Sequence, residues 1–294
     1  MAVGRRLQHR PARTAIGCSI LWAGWLPCRS MNPLPILRTA ALPMFVLLLA
    51  GQAGAAPSAQ LFDAVKKPEA LDADWRARLC ALLPQPCDPQ ALGLYRPRGA
   101  AAGDYAVFSS EPLAMARIKR VAAGTWQLNR LHDFSGYAAA LMKKAATPGM
   151  ADSRISLAPA LYPLAEGRWA AAVLQTVSEM YSGGGASFSK ADFVPLEDAT
   201  RAVYEGIPFS CSKMIRACFS EKEYKQSKHC HDESSGSLRI SYGEPSRPGE
   251  AYSWQYTWLQ SEWPQNTPAS DTTTTRLHFT ARTTERASFC GGPQ

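Results

Sequence analysis

The chain has 294 residues, 46% of them hydrophobic and 19% charged, with a formal net charge of +8. That balance suits a folded globular protein and excludes a disordered or collagen-like chain, and no coiled-coil heptad or solenoid-length repeat is present. The positive charge is unevenly placed. Six of the 32 basic residues (Arg5, Arg6, Arg10, Arg13, Arg29, Arg38) lie within residues 1–55, which contain no acid, so the remainder carries 26 basic against 24 acidic residues. A nearly neutral body gives no electrostatic reason to expect a nucleic-acid partner.

The N-terminal region reads as an address. From Met31, Arg38 supplies a positive segment, Ala40 to Ala50 an apolar one too short to span a bilayer, and Ala53-Gly54-Ala55 a small-x-small cleavage site. Residues 31–55 are therefore expected to be a signal peptide, with residues 1–30 an upstream extension and Met31 the true start. The expected location is periplasmic or secreted. No stable membrane span is expected after processing, because no later apolar run is long enough.

Residues 56–103 read as a helical N-terminal segment and linker. Asp72 or Asp74 can cap a helix carrying Trp75, Leu79 and Leu82 on one face, stopped at Pro84. The Gly/Ala/Pro-rich stretch from Pro89 to Gly103 reads as linker. From Asp104 to the C-terminus the pattern predicts a β-rich domain. Strands are expected at Tyr105–Phe108, Ala116–Val121 and Thr125–Leu128, then a short helix from Ser135 ended by Pro148-Gly149. A hairpin from Arg168 to Leu196 turns at Ser182-Gly183-Gly184-Gly185, and both faces of its first strand are small or apolar, as in a central strand. Ser220-x-x-Glu223 is a capping box, and late strands are expected at Leu238–Tyr242, Ala251–Leu259 and Thr273–Ala281. The fold class is α+β, a predominantly antiparallel β-sheet with a small helical N-terminal segment, stapled by disulfides.

The six cysteines beyond the signal peptide are Cys80, Cys87, Cys211, Cys218, Cys230 and Cys290. An even number in an exported chain predicts three disulfides. Pro84 and Pro86 let the chain turn back, favouring Cys80–Cys87. A tight Cys211–Cys218 loop would then leave Cys230–Cys290. A cysteine zinc site is the competing reading, but the close C-x-x-C spacing is missing.

Five groups of residues could carry chemistry. Tyr252, Trp254, Tyr256 and Trp258 alternate strictly, so their rings share one face of a strand. That face is either an exposed platform for sugars or apolar ligands, or the core side of a half-buried sheet. His229-Cys230-His231-Asp232-Glu233 could hold a transition metal through His229 and His231 if a distant ligand such as His278 or His132 joined them. The alternative is a polar loop beside a disulfide. Ser187–Lys190 and Ser210–Lys213 have serine–lysine hydrolase spacing, which requires a helix. Glu179 and Tyr181, beside the triple glycine, could line a ligand site or simply precede a turn. His132-Asp133 could be part of a triad, but no nucleophile elbow accompanies it. No P-loop, G-x-G-x-x-G, H-E-x-x-H or EF-hand motif occurs, and no cofactor is expected. The reading is an exported, non-catalytic protein binding an envelope glycan, a small ligand or a protein. The alternatives are an envelope hydrolase and a metal-handling protein.

Overall fold

The computed structural model describes residues 56–145, 153–245, 247–280 and 289–291. The expected signal peptide and upstream extension, and the Pro148-Gly149 helix stop, lie outside them. Among the described residues a single antiparallel sheet dominates, with strands β1 (Gln60–Ala64), β2 (Leu92–Pro97), β3 (Asp104–Ser110), β4 (Leu113–Ala122), β5 (Thr125–Asp133), β6 (Ser153–Ala165), β7 (Arg168–Tyr181), β8 (Gly184–Pro195), β9 (Tyr204–Arg216), β10 (His231–Gly243), β11 (Ser253–Trp263) and β12 (Thr273–Phe279). Three α-helices accompany them among the described residues: α1 (Trp75–Cys80), α2 (Ser135–Ala145) and α3 (Glu221–Gln226).

The sheet order is β12-β11-β10-β9-β8-β7-β6-β1-β2-β3-β4-β5. It is two meanders, in which chain neighbours pair antiparallel, several through tight turns and β9 to β10 through a connection that contains α3. The exception is β1, which pairs with β6 on one side and β2 on the other and so joins the two meanders. The sheet folds over, so that β3 and β4 pack against β6.

The layering follows from β7. Ala170, Ala171, Ala172 and Val173 are all fully buried, as expected for a central strand. Ala171 and Val173 face a core shared with Phe62, Phe108, Met115, Phe134 and Tyr137. Ala170 and Ala172 face a second core with Tyr162, Phe193, Ile207, Trp254 and Tyr256. A third core sits under α1, where Trp75 and Leu79 meet Leu92, Leu94, Val107 and Ile118. The predicted capping box is present: Ser220 Oγ accepts from the Glu223 backbone N–H, and the Glu223 carboxylate accepts from the Ser220 N–H.

The stretch expected to be a linker contains β2. Its alternation is hidden in Gly/Ala/Pro-rich composition, but Leu92 and Leu94 are buried and the strand pairs with both β1 and β3. Two further strands were missed because of their prolines. In β6, Pro159 lies between the paired residues Leu157 and Leu161, and Pro163 lies at a second register shift. In β9, Pro208 lies at the shift that passes from Ser189↔Ser210 to Lys190↔Pro208. Irregular positions tolerate a residue with no N–H to donate.

The six cysteines form three disulfides. Cys80–Cys87 is the expected pair. The other two differ from expectation: Cys211 bonds Cys290 and Cys218 bonds Cys230. The reason is strand geometry. Cys211 lies within β9, and extended chain at about 3.3 Å per residue carries Cys218 roughly 20 Å away, beyond bridging range. The β9–β10 pairing ends at Arg216↔His231, which brings Cys218 and Cys230 face to face just beyond it, with Cα atoms 5.0 Å apart. Cys211 opposes Gly236 on the side where Cys290 and Phe289 pack with Trp258. Disulfides are consistent with an oxidising compartment. No helix among the described residues is long and apolar enough to cross a membrane.

Candidate functional site

The aromatic ladder is core, not a platform. Trp254, Tyr256 and Trp258 are buried, and Tyr252 is half-buried against the second core. The Trp254 ring lies within 6.3 Å, centroid to centroid, of Tyr162, Phe193, Tyr204, Tyr242 and Tyr256, and its indole N–H donates to the Pro163 carbonyl at 3.0 Å. Strand β10 has left β9 by this point. The β9–β10 pairing runs only from Ser210↔Ser237 to Arg216↔His231, so Leu238–Gly243 and the start of β11 fold across the second core. Rings so placed cannot stack on an external ligand.

The opposite side of β11 belongs to a different surface. Ser178, Ser187, Ser212, Ser235, Ser261 and Thr274 are directly opposed from strand to strand across β7 to β12. Directly opposed residues share a face, so these hydroxyls form one row across six strands. A second row lies alongside, through Thr176, Ser189, Ser210 and Ser237. Hydroxyls bond one another along the rows: Ser178 to Ser187 at 2.9 Å, Thr176 to Ser189 at 2.7 Å and Ser261 to Thr274 at 3.2 Å. On the other flank the next row runs Met180, Gly185, Met214, Glu233, Trp263. The first hydroxyl row, from Ser178 to Ser261, and this flanking row line a hollow of about 470 Å³. The sequence carried a signal for it: Thr176-x-Ser178, Ser187-x-Ser189, Ser210-x-Ser212 and Ser235-x-Ser237 each put two hydroxyls on one face of a strand.

Glu233 of the flanking row stands beside His229 and His231. One ligand atom from each lies within 4.8 Å of the others. His231 and Glu233 are two apart on β10 and so share a face. His229 precedes the strand. Its ring is stacked on Trp263 at 3.5 Å and 2°. Its backbone N–H donates to Ser227 Oγ, and its carbonyl accepts from the Asn266 N–H. Cys230, between the two histidines, is tied to Cys218, and its carbonyl accepts from the Ala217 N–H. Neither distant histidine completes this group. His132 is buried, with Nδ1 3.1 Å from the Leu196 carbonyl, and burial holds its pKa down. His278 sits on β12 with Nδ1 3.0 Å from Thr257 Oγ1. The third partner is Glu233, which strand periodicity alone would have placed with His231.

The remaining candidates separate. Glu179 and Tyr181 are exposed on β7, at positions alternate to Ser178 and Met180, and do not line the hollow. Both Ser-x-x-Lys pairs lie in strands, where positions three apart face opposite ways. The partner of Ser187 Oγ is Ser178. Asp133 accepts from the Ser135 N–H and hydroxyl at the start of α2, and so orders that turn rather than His132.

Comparison of the chain with protein-family models, with curated proteins and with solved structures finds no match.

Proposed function

We propose that the protein is an exported, non-catalytic binding protein whose ligand is a hydroxyl-rich envelope glycan lying across the serine and threonine rows of β7 to β12. The observation that carries this reading is the row Ser178-Ser187-Ser212-Ser235-Ser261-Thr274, uninterrupted by any charged side chain. Each hydroxyl offers one donor and two acceptor lone pairs, so hydroxyls bonded to one another keep capacity for a ligand. Strand spacing sets them about 4.8 Å apart, a regular ladder suited to a neutral polymer rather than to an ion. Met180 and Met214, both exposed, give the neighbouring row an apolar rim. The reading of export rests on the residue 31–55 pattern and agrees with the three disulfides.

The test is retention of the full chain on purified peptidoglycan and on a panel of soluble envelope polysaccharides, beside a Ser212→Ala/Ser235→Ala variant. Both serines are exposed, so the variant should unfold within about 0.5 kcal/mol of the wild type while losing at least fivefold in affinity. Equal retention of the two proteins, or retention of neither, would sink the proposal.

A further inference from the structure

We infer that His229, His231 and Glu233 form a binding site for a divalent transition metal of the zinc class. This goes beyond the glycan reading and does not depend on it. The first support is distance. His229 Nε2 lies 3.6 Å from Glu233 Oε1, too long for a hydrogen bond. Ligand atoms bound to one zinc at 2.0–2.2 Å in tetrahedral geometry are separated by about 3.3–3.5 Å, so this gap fits two atoms sharing an ion.

The second support is an orphaned atom. His229 is only 8% exposed, and its Nε2 is buried with no hydrogen-bond partner. Leaving a buried polar nitrogen unsatisfied costs its desolvation, and a metal ion removes that cost while using the lone pair directly. The third support is preorganisation. Trp263 holds the His229 ring by stacking, Ser227 and Asn266 hold its backbone, and the Cys218–Cys230 bond fixes the segment between the two imidazoles. A site whose ligands are already ordered loses less conformational entropy on binding.

The donor set names the metal class. Two neutral imidazoles and one carboxylate suit zinc, copper(II) or nickel(II) over calcium or magnesium, which prefer all-oxygen shells. Three protein ligands leave a fourth position open to water or another ligand. Glu233 and Trp263 line the same hollow as Ser178, Ser187, Ser212, Ser235 and Ser261, so that position adjoins the proposed glycan surface.

The experiment is equilibrium dialysis of zinc(II) against the untagged full chain, stripped with chelator and with its disulfides intact, followed by cobalt(II) substitution read by visible absorption. The expected result is one zinc per chain and cobalt d–d bands. His231→Gln and Glu233→Gln should each weaken zinc binding at least tenfold and abolish the bands, since even outer-shell partners of a metal site cost 10–100-fold. Both residues are half-buried strand positions, so these variants keep the test alive should His229→Gln fail to fold. His278→Gln should bind as the wild type does, and so should Ser212→Ala/Ser235→Ala, which separates this site from the glycan surface. No zinc bound at micromolar free metal, or unchanged affinity in His231→Gln and Glu233→Gln, would overturn the inference.

Discussion

Cys218 and Cys230 are joined just beyond the last paired residues of the β9–β10 hairpin, and His229 and His231 flank the second of them. One covalent bond therefore both closes the hairpin and fixes the spacing of two imidazoles. Its sequence separation is 12, for which loop-closure entropy gives about 2.8 kcal/mol. Replacing both cysteines by alanine should cost about that much in denaturant titrations. The same variant should bind zinc more weakly although neither cysteine is a ligand. The control is Cys80→Ala/Cys87→Ala, which opens a loop with a separation of 7 and should cost about 2.4 kcal/mol with zinc affinity unchanged.

The environment of Trp254 makes a contrasting prediction. Its ring is enclosed by five other aromatic rings, and its N–H is satisfied by a backbone carbonyl. Trp254→Ala should destabilise by about 3–5 kcal/mol, the range for truncating a buried aromatic. Trp254→Phe should cost less, roughly the lost hydrogen bond of 0.5–1.5 kcal/mol plus a small cavity. Material that remains folded should bind glycan with unchanged affinity. A loss of affinity at full folding would show that the ring reaches ligand after all.

Gly236 separates the two sides of the same sheet. A Cβ built there would stand 2.2 Å from Trp258 Cζ2 and 2.7 Å from Cys211 Sγ. Neither neighbour can retreat, because Trp258 is 2% exposed and Cys211 is bonded to Cys290. Gly236→Ala should therefore destabilise by about 1–3 kcal/mol or more through overpacking. Ser235→Ala, one residue away on the exposed face, should stay within about 0.5 kcal/mol of wild type. Thermal or denaturant unfolding of the pair measures the difference directly.

How much of this was legible in the sequence depends on what each residue had to reveal. Strand pattern exposed the Arg168–Leu196 hairpin, through a first strand apolar on both faces and a glycine turn, and several strands after Asp104. It hid β6 and β9, where prolines occupy register shifts that a one-dimensional pattern reads as breaks. The aromatic ladder showed which rings share a face but not what covers that face. The answer lies in Leu164 and Pro163, whose carbonyls accept from Tyr252 and Trp254 from 88 or more residues away in the chain. The disulfide pairing failed for a related reason: Cys211 and Cys218 are near in sequence, but a strand was not expected between them. The hydroxyl rows required register across six strands, which no single segment contains. His231 and Glu233, by contrast, were readable from period two alone.

Asp72 gives a pH dependence with a definite sign. The Trp126 indole N–H donates to its carboxylate at 3.0 Å, the Asp74 backbone N–H donates at 3.1 Å, and the Arg78 guanidinium lies 3.3 Å away. The Trp126 bond is the largest influence, and together these hold the Asp72 carboxyl below its ordinary value despite its burial. In the unfolded chain an aspartate titrates near about 3.9. Above that pH both states are ionised, and the contribution to stability is fully present. As the pH falls below it, the unfolded chain takes up the proton first, and the contribution is lost progressively down to the native value. The stability gap between wild type and Asp72→Asn should therefore be constant from neutral pH down to about 5 and should shrink as the pH falls below about 4. Denaturant midpoints for both proteins at each pH measure it. A gap that persists unchanged to the acid limit would mean that Asp72 acts through packing of the turn before α1 rather than through its charge.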